Sequence, residues 1–262
     1  MGFALDWMGR GLARYLSAPG RRSTQVAIDP PEAVANALRP GDVLLVDGNT
    51  RIATAIKYLT QSTWSHAALY IGDALGTRDG RGNLHTLIEA DVVDGVRAVA
   101  LADYARFATR ICRPVGLAPA QIAKVLEHAI ARAGHKYDLK NVIDLARYLF
   151  PTPPVPSRFR RRLIALGSGD PTRAICSTLI AQAFESVGYP ILPEIILEKL
   201  DDPACSDCYR EILHVRHHSL IAPRDFDISP YFAIVKPALS GTLDFKALDW
   251  QKLSYVTEPA PA

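Results

Sequence analysis

The sequence predicts an α+β fold, because short strand patterns and helical patterns occur in separate runs along the chain. Turn signals such as Asp94-Gly95 join neighbouring strand patterns and favour antiparallel pairing. A clear helical pattern covers residues 175–187 and ends at Gly188 and Pro190. We therefore expect a small antiparallel sheet or half-barrel packed against helices.

The composition is that of a globular protein. The 262 residues are 48% hydrophobic and 22% charged, which suffices for one sizeable core or at most two small ones. The net charge of +3 is too mild to favour nucleic-acid binding. No window reaches the roughly 18 uninterrupted apolar residues of a membrane-spanning helix. The N-terminal run Phe3–Met8, broken by Asp6, does not resemble a secretory signal. The four cysteines are too few and too unevenly placed for a disulfide scaffold, so a cytoplasmic, reduced setting is expected.

Residues 1–38 are predicted to precede the main domain, which covers 39–240 and leaves a tail over 241–262. Residues 1–22 have the spacing of an amphipathic helix, with a basic face that includes Arg10 and Arg14. This helix could lie at the surface of the inner membrane or pack against its own domain or a second subunit. Residues 23–39 are polar and contain proline, and we expect a connector there.

The main domain carries its strand and helix signals in a definite order. Strands are predicted by alternation and β-branched residues at Val43–Val46, Ser65–Ile71, Thr86–Val93, Val96–Leu101, Arg110–Arg113 and 230–236. Helices are predicted at 51–60, 119–133, 139–150, 175–187 and about 193–200, and Pro119 occupies a favoured first-turn position. A Pro- and Arg-rich segment covers 151–162, and its Arg158–Arg162 cluster is either part of a solvated loop or a site for phosphate or anionic lipid headgroups.

Cys176 lies at the start of the helix predicted over 175–187. The first amides of a helix lack internal partners and the helix dipole is positive there, so a thiolate is stabilised at this position. The amide of Cys176 could also bind a developing oxyanion. The alternative is that Cys176 is a small buried hydrophobic residue, which is the commonest role of a lone cysteine.

His66 interrupts an otherwise apolar strand, and such a histidine needs a hydrogen-bonding partner. It is either a core histidine bonded to a carbonyl or the base beside a thiol. In the second case a third group should orient the imidazole. Glu89 is the best candidate, because glutamate within an apolar strand is rarely buried without a partner. Asp91 and His85 are alternatives on the same strand.

A series of short motifs carries a resemblance to a known family. The motifs are Pro40-Gly41-Asp42-Val43, Trp64–Gly72, Glu89-Ala90, Lys136-Tyr137-Asp138, Ile175–Ile180 and Ala222–Phe226 with Ser229-Pro230. In this order they resemble the YiiX/YebB-type permuted papain-like cysteine hydrolases, relatives of the NlpC-type peptidases and of lecithin:retinol acyltransferase. The order in which the histidine precedes the cysteine is typical of the permuted group.

The resemblance implies a circularly permuted papain-like fold with the nucleophile at a helix N-terminus. It implies Cys176 as nucleophile, His66 as base and Glu89 as the orienting residue, with no metal or organic cofactor. Tyr137 would lie near the site on the oxyanion side, and Trp64 and Ser177 would contact the substrate. The substrate would be a small molecule, a peptide or a lipid.

Three classes of function remain open from the sequence: a thiol hydrolase that cleaves peptide or N-acyl amides, a lipid acyltransferase or lipid hydrolase, and a non-catalytic module on the same fold. A separate signal is Cys205-x-x-Cys208, which His214, His217 and His218 follow. These residues could bind zinc, the cysteines could form a disulfide, or the segment could be a plain surface loop.

Overall fold

The computed structural model describes residues 18, 27, 29–91, 94–135, 175–199 and 209–237. The helix predicted over 1–22, apart from residue 18, lies outside the described residues. The same holds for the helix predicted over 139–150, the Pro- and Arg-rich segment 151–162, Tyr137, Cys205 and Cys208.

A six-stranded antiparallel sheet forms the centre of the described structure. The strands are β1 Val43–Val46, β2 His66–Tyr70, β3 His85–Asp91, β4 Gly95–Ala100, β5 Thr109–Pro114 and β8 Phe232–Val235, and their order in the sheet is β4-β3-β2-β1-β5-β8. All six were predicted within a few residues of these bounds. The prediction of an α+β fold with an antiparallel sheet is confirmed.

Five α-helices and two 3-10 helices accompany the sheet within the described ranges. The α-helices are α1 Pro31–Ala37, α2 Arg51–Thr60, α3 Pro119–Ile130, α4 Ile175–Glu185 and α5 Pro223–Asp227, and the 3-10 helices are Leu101–Tyr104 and His218–Leu220. Thr50 caps α2 by accepting a hydrogen bond from the Ala53 amide at 3.1 Å. The helices predicted at 51–60, 119–133 and 175–187 are confirmed.

Two apolar cores form on the two faces of the sheet, as the two-residue period of strands requires. On one face α3 and α4 pack on alternate residues of β1 and β2; the buried set includes Val43, Leu45, Ala67, Leu69, Val125, Leu179, Ile180 and Phe184. On the other face α1 and the segment after β4 cover the intervening residues; this set includes Val34, Leu38, Leu44, Val46, Ala68 and Leu87. The sheet therefore lies between two packed layers, and α4 belongs to the layer on the first face.

The turn before β1 depends on Gly41. Its φ of +93° is unfavourable for residues with a side chain, and a Cβ there would lie 2.9 Å from Ile122. This conformation lets the Gly41 amide donate to the Tyr70 carbonyl at 2.9 Å, which extends the pairing of β1 with β2.

Two local predictions are wrong. Residues 31–37, predicted as part of a connector, form helix α1, which begins with Pro31 at a favoured first-turn position. The segment predicted as a helix over about 193–200 is strand β6, Glu194–Lys199, which pairs with β7, Tyr209–His214. Its sequence fits either period, and pairing with β7 selects the strand.

None of the helices in the described ranges is long and apolar enough to cross a membrane.

Candidate active site

His66 is the first residue of β2, and two side chains act on its imidazole. Nε2 lies 2.6 Å from Oε2 of Glu89. The Cys176 side chain also acts on the ring, because its charge and hydrogen bonding contribute to the raised pKa of His66. The side chain of His66 is 23% exposed, so the ring lies at the edge of the protein interior. The 2.6 Å contact of the ring is thus with a carboxylate rather than a backbone carbonyl, and the role of His66 as a base stays a prediction.

Glu89 lies in the middle of β3 and is 1% exposed. The ladder between β2 and β3 pairs Leu69 with Ile88 and Tyr70 with Leu87, and it stops before His66. At the His66 end, the hydrogen bond between the His66 and Glu89 side chains therefore connects the two strands.

Cys176 is the second residue of α4 and is 4% exposed. Helix α4 packs on β2 and β3, the strands that carry His66 and Glu89. Its residues Leu179 and Ile180 are buried in the same core as Leu69 of β2. This packing sets the position of the first turn, where the Cys176 amide lacks a partner within the helix.

The electrostatics of His66 and Glu89 favour their charged forms. Burial disfavours the imidazolium, but the charges of Cys176 and Glu89 and hydrogen bonds to both raise the pKa of His66 well above 6.5. Burial also disfavours the carboxylate, but the charge of His66 and hydrogen bonds from His66 and Tyr104, with the charge of Arg97, lower the pKa of Glu89 to about 2. Glu89 is thus ionised at neutral pH, and the surroundings of His66 favour its imidazolium form.

Two further residues contact Glu89 and were not identified from the sequence. The Tyr104 hydroxyl donates to Oε2, and Arg97 Nε donates to Oε1 at 2.8 Å. A two-residue turn at Asp94-Gly95 would place Glu89 opposite Ala100, whereas the observed register pairs Asp91 with Gly95 and Glu89 with Arg97. The turn signal therefore did not indicate that Arg97 lies opposite Glu89, and no local signal indicated Tyr104.

The two alternatives to Glu89 have other partners. Asp91 accepts a hydrogen bond from the Asp94 amide at 3.0 Å and lies 3.8 Å from Arg97. His85 Nδ1 is 3.0 Å from the Thr77 hydroxyl. Glu89 is thus the carboxylate that the fold places against His66.

Two of the residues predicted to contact substrate, Trp64 and Ser177, have hydrogen-bond partners within the protein. Trp64 is 6% exposed, and its indole N–H donates to Asp227 at 2.9 Å. Ser177 is fully buried and donates to the Ile221 carbonyl at 2.7 Å. Both side chains bond to the protein interior, and their role in substrate binding stays a prediction, as does that of Tyr137, which lies outside the described residues.

The described residues show no cluster of three or more His, Cys, Asp or Glu side chains that could hold a metal ion. Cys205 and Cys208 are not among them, so the zinc and disulfide alternatives stay predictions. Of the nearby histidines, His217 Nδ1 lies 2.8 Å from the Ser219 hydroxyl, and His218 Nδ1 lies 2.8 Å from a Glu185 carboxylate oxygen.

Comparison with known proteins gives one family match. Residues 37–149 match a family described as permuted papain-like amidase enzyme, YaeF/YiiX, C92 family. The matched range contains His66 and Glu89 and ends before Cys176. No curated protein matches the chain.

Among solved structures, the crystal structure of metalloprotein yiiX from Escherichia coli O157:H7 is 16% identical, with a TM-score of 0.45, and the alignment covers 76% of this chain and 97% of that one. The family match over residues 37–149 supports the predicted resemblance to the YiiX-like permuted papain family.

Proposed function

We propose that this protein is a thiol-dependent hydrolase that cleaves a peptide or N-acyl amide through an acyl-enzyme at Cys176. The observation that supports the proposal is the position of the His66 ring, which lies 2.6 Å from the Glu89 carboxylate and has its pKa raised by the Cys176 side chain. A nucleophile, a base and a group that orients the base are the three parts of such a site.

In the proposed mechanism the two ring nitrogens of His66 have different tasks. Nε2 faces the Glu89 carboxylate at 2.6 Å, which leaves Nδ1 for the sulfur of Cys176. In this arrangement Nδ1 takes the thiol proton, and the thiolate attacks the amide carbonyl to form a C–S bond. The imidazolium then protonates the leaving amine as the C–N bond breaks.

Deacylation uses the same groups in the second half of the cycle. His66 accepts a proton from water, the resulting hydroxide attacks the thioester, and the thiol of Cys176 is regenerated as the acid product leaves. The Cys176 amide, at the start of α4, supplies a donor for the oxyanion in both halves.

The test is acyl-thioester formation at Cys176, detected by intact mass and peptide mapping against a panel of amides, esters and thioesters. We expect an adduct on Cys176 in the parent and none after Cys176→Ser. Cys112→Ser is the matched control: Cys112 is fully buried and burial raises the pKa of its thiol, so its loss should leave the adduct unchanged. A parent protein that gives no adduct with the panel and is not alkylated at Cys176 would be the non-catalytic module.

A specific observation favours the second candidate, a lipid hydrolase or acyltransferase. A cavity of about 250 Å³ lies between α1 and the segment 101–109, and its lining includes Val34, Leu101, Tyr104 and Phe107. Tyr104 also contacts Glu89, so this mainly apolar cavity adjoins the site. An acyl chain is the kind of group that such a cavity accommodates.

Chain length separates the two candidates. If the cavity holds an acyl chain, Ala35→Phe at its lining should lower kcat/KM for long-chain N-acyl substrates by about tenfold and leave short-chain substrates unaffected. Ala123→Phe, on the exposed surface of α3, is the matched control. Equal effects on long and short chains would favour the amidase without a lipid substrate.

A further inference from the structure

We propose that Tyr104 and Arg97 are positioning residues that hold the Glu89 carboxylate ionised and correctly oriented toward His66. This inference rests on the proposed function, because positioning matters only if His66 acts on Cys176. It goes beyond that function by assigning roles to two residues on elements that carry neither the base nor the nucleophile.

The Glu89 carboxylate receives hydrogen bonds from three elements. His66 of β2 bonds to Oε2 at 2.6 Å, Arg97 of β4 donates to Oε1 at 2.8 Å, and Tyr104 of the 3-10 helix donates to Oε2. A carboxylate that is 1% exposed would be strongly destabilised without such donors. With both oxygens bound, the carboxylate plane is fixed and Oε2 stays directed at the imidazole.

Tyr104 restricts His66 in a second way. Its ring stacks on the imidazole, with centroids 6.1 Å apart and planes inclined by 28°. Burial and the neighbouring Glu89 carboxylate raise the pKa of Tyr104 well above 10, so the hydroxyl keeps its proton and remains a donor. One side chain therefore contacts both the base and the residue that orients it.

Arg97 supplies the positive charge that balances the acidic groups near Glu89. Besides Glu89 it pairs with Asp94 and lies 3.8 Å from Asp91. The charged and titratable groups around Glu89 are thus Arg97 of β4, His66 of β2 and Tyr104 of the 3-10 helix, with Cys176 of α4 beyond His66. Removal of either Arg97 or Tyr104 should raise the pKa of Glu89.

The experiment measures the rate of iodoacetamide alkylation at Cys176 as a function of pH, in the full chain. For Tyr104→Phe, which keeps the ring and removes the hydroxyl, we expect a plateau rate about tenfold lower, as for loss of one hydrogen bond to a charged group. The acid limb of the profile should move to higher pH, because Glu89 accepts a proton sooner. Arg97→Gln should act in the same direction, and Arg97→Lys, which restores the charge, should recover part of the parent profile.

Tyr70→Phe is the matched control, because Tyr70 lies on β2 and no hydrogen bond joins its side chain to Glu89 in the described structure. It should leave both the plateau rate and the acid limb unchanged.

If Tyr104→Phe and Arg97→Gln are folded by circular dichroism and match the parent profile while Glu89→Gln does not, the proposed positioning role is wrong and the proposed function stands. If Glu89→Gln and His66→Ala also match the parent, the proposed function itself fails. Should Arg97→Gln not fold, Arg97→Lys and Tyr104→Phe still decide the question.

Discussion

The two described free thiols have different surroundings. Cys176 sits at a helix N-terminus beside a histidine, whereas Cys112 lies in the middle of β5, where burial raises the pKa of its thiol. Thiol reactivity follows such surroundings more than burial, since Cys176 is itself only 4% exposed. The difference between the two thiols depends on His66, whose imidazolium form Glu89 stabilises.

The substitution Glu89→Gln tests whether the reactivity of Cys176 depends on Glu89. Glutamine keeps the shape of the side chain and removes its charge, so the imidazolium loses its main stabilising partner apart from the thiolate. We expect alkylation of Cys176 near neutral pH to slow by about tenfold or more. Glu127→Gln, which removes an exposed carboxylate on α3, should leave the rate unchanged. Equal rates for the parent and Glu89→Gln would mean that Glu89 does not orient the base.

One buried ion pair connects elements that are distant along the chain. Asp42, which is 1% exposed, accepts two hydrogen bonds from Arg113 of β5, at 2.9 and 2.7 Å. Arg113 also donates to the Ala37 carbonyl at the end of α1, at 2.6 Å. The guanidinium thus joins α1, the start of β1 and strand β5. Bidentate pairs of this kind require defined geometry on both sides.

Arg113→Ala should therefore lower the free energy of unfolding by about 3 kcal/mol, because it leaves the Asp42 carboxylate buried without its main partner. Arg210→Ala provides the control. Arg210 pairs with Glu198 at 2.6 Å, but both side chains are more than half exposed, and its removal should cost less than about 1 kcal/mol. Urea unfolding at pH 7 measures both, and similar losses would contradict the assignment of Asp42–Arg113 as a buried structural pair.

For the whole molecule, the His66–Glu89 pair links stability to pH. On folding, the pKa of Glu89 falls from an ordinary value of 4.5 to about 2, so its contribution is complete above pH 4.5 and is lost as the pH falls toward 2. The pKa of His66 is raised on folding, so its contribution is complete below pH 6.5 and is lost as the pH rises through the folded pKa. The pair therefore stabilises most between pH 4.5 and 6.5.

Urea unfolding across this range checks the linkage. The free energy of unfolding of the parent, minus that of Glu89→Gln, should increase as the pH rises from 2 to 4.5. A difference that stays constant over that interval would show that Glu89 is not held as a buried carboxylate. His66→Ala should remove the loss of stability that the parent shows at higher pH.

The sequence by itself determined the type and order of most elements and the start of α4 at Cys176. It also identified His66 and Glu89 as polar residues within apolar strands that needed partners. Hydrophobic period, caps and turn residues are local, so they can be identified without a fold. The prediction failed in β6, where burial does not distinguish a strand from a helix. Ile195 and Leu197 are 58% and 61% exposed, and only pairing with β7 determines the strand.

Only the tertiary structure decided which side chains meet. It brought α4 onto β2 and β3, chose Glu89 over Asp91 and His85, and added Arg97 and Tyr104 to the same carboxylate. The physical reason is that contacts between distant segments depend on strand order and ladder register, and a shift of a few residues in the β3–β4 register would have put Ala100 in the place of Arg97.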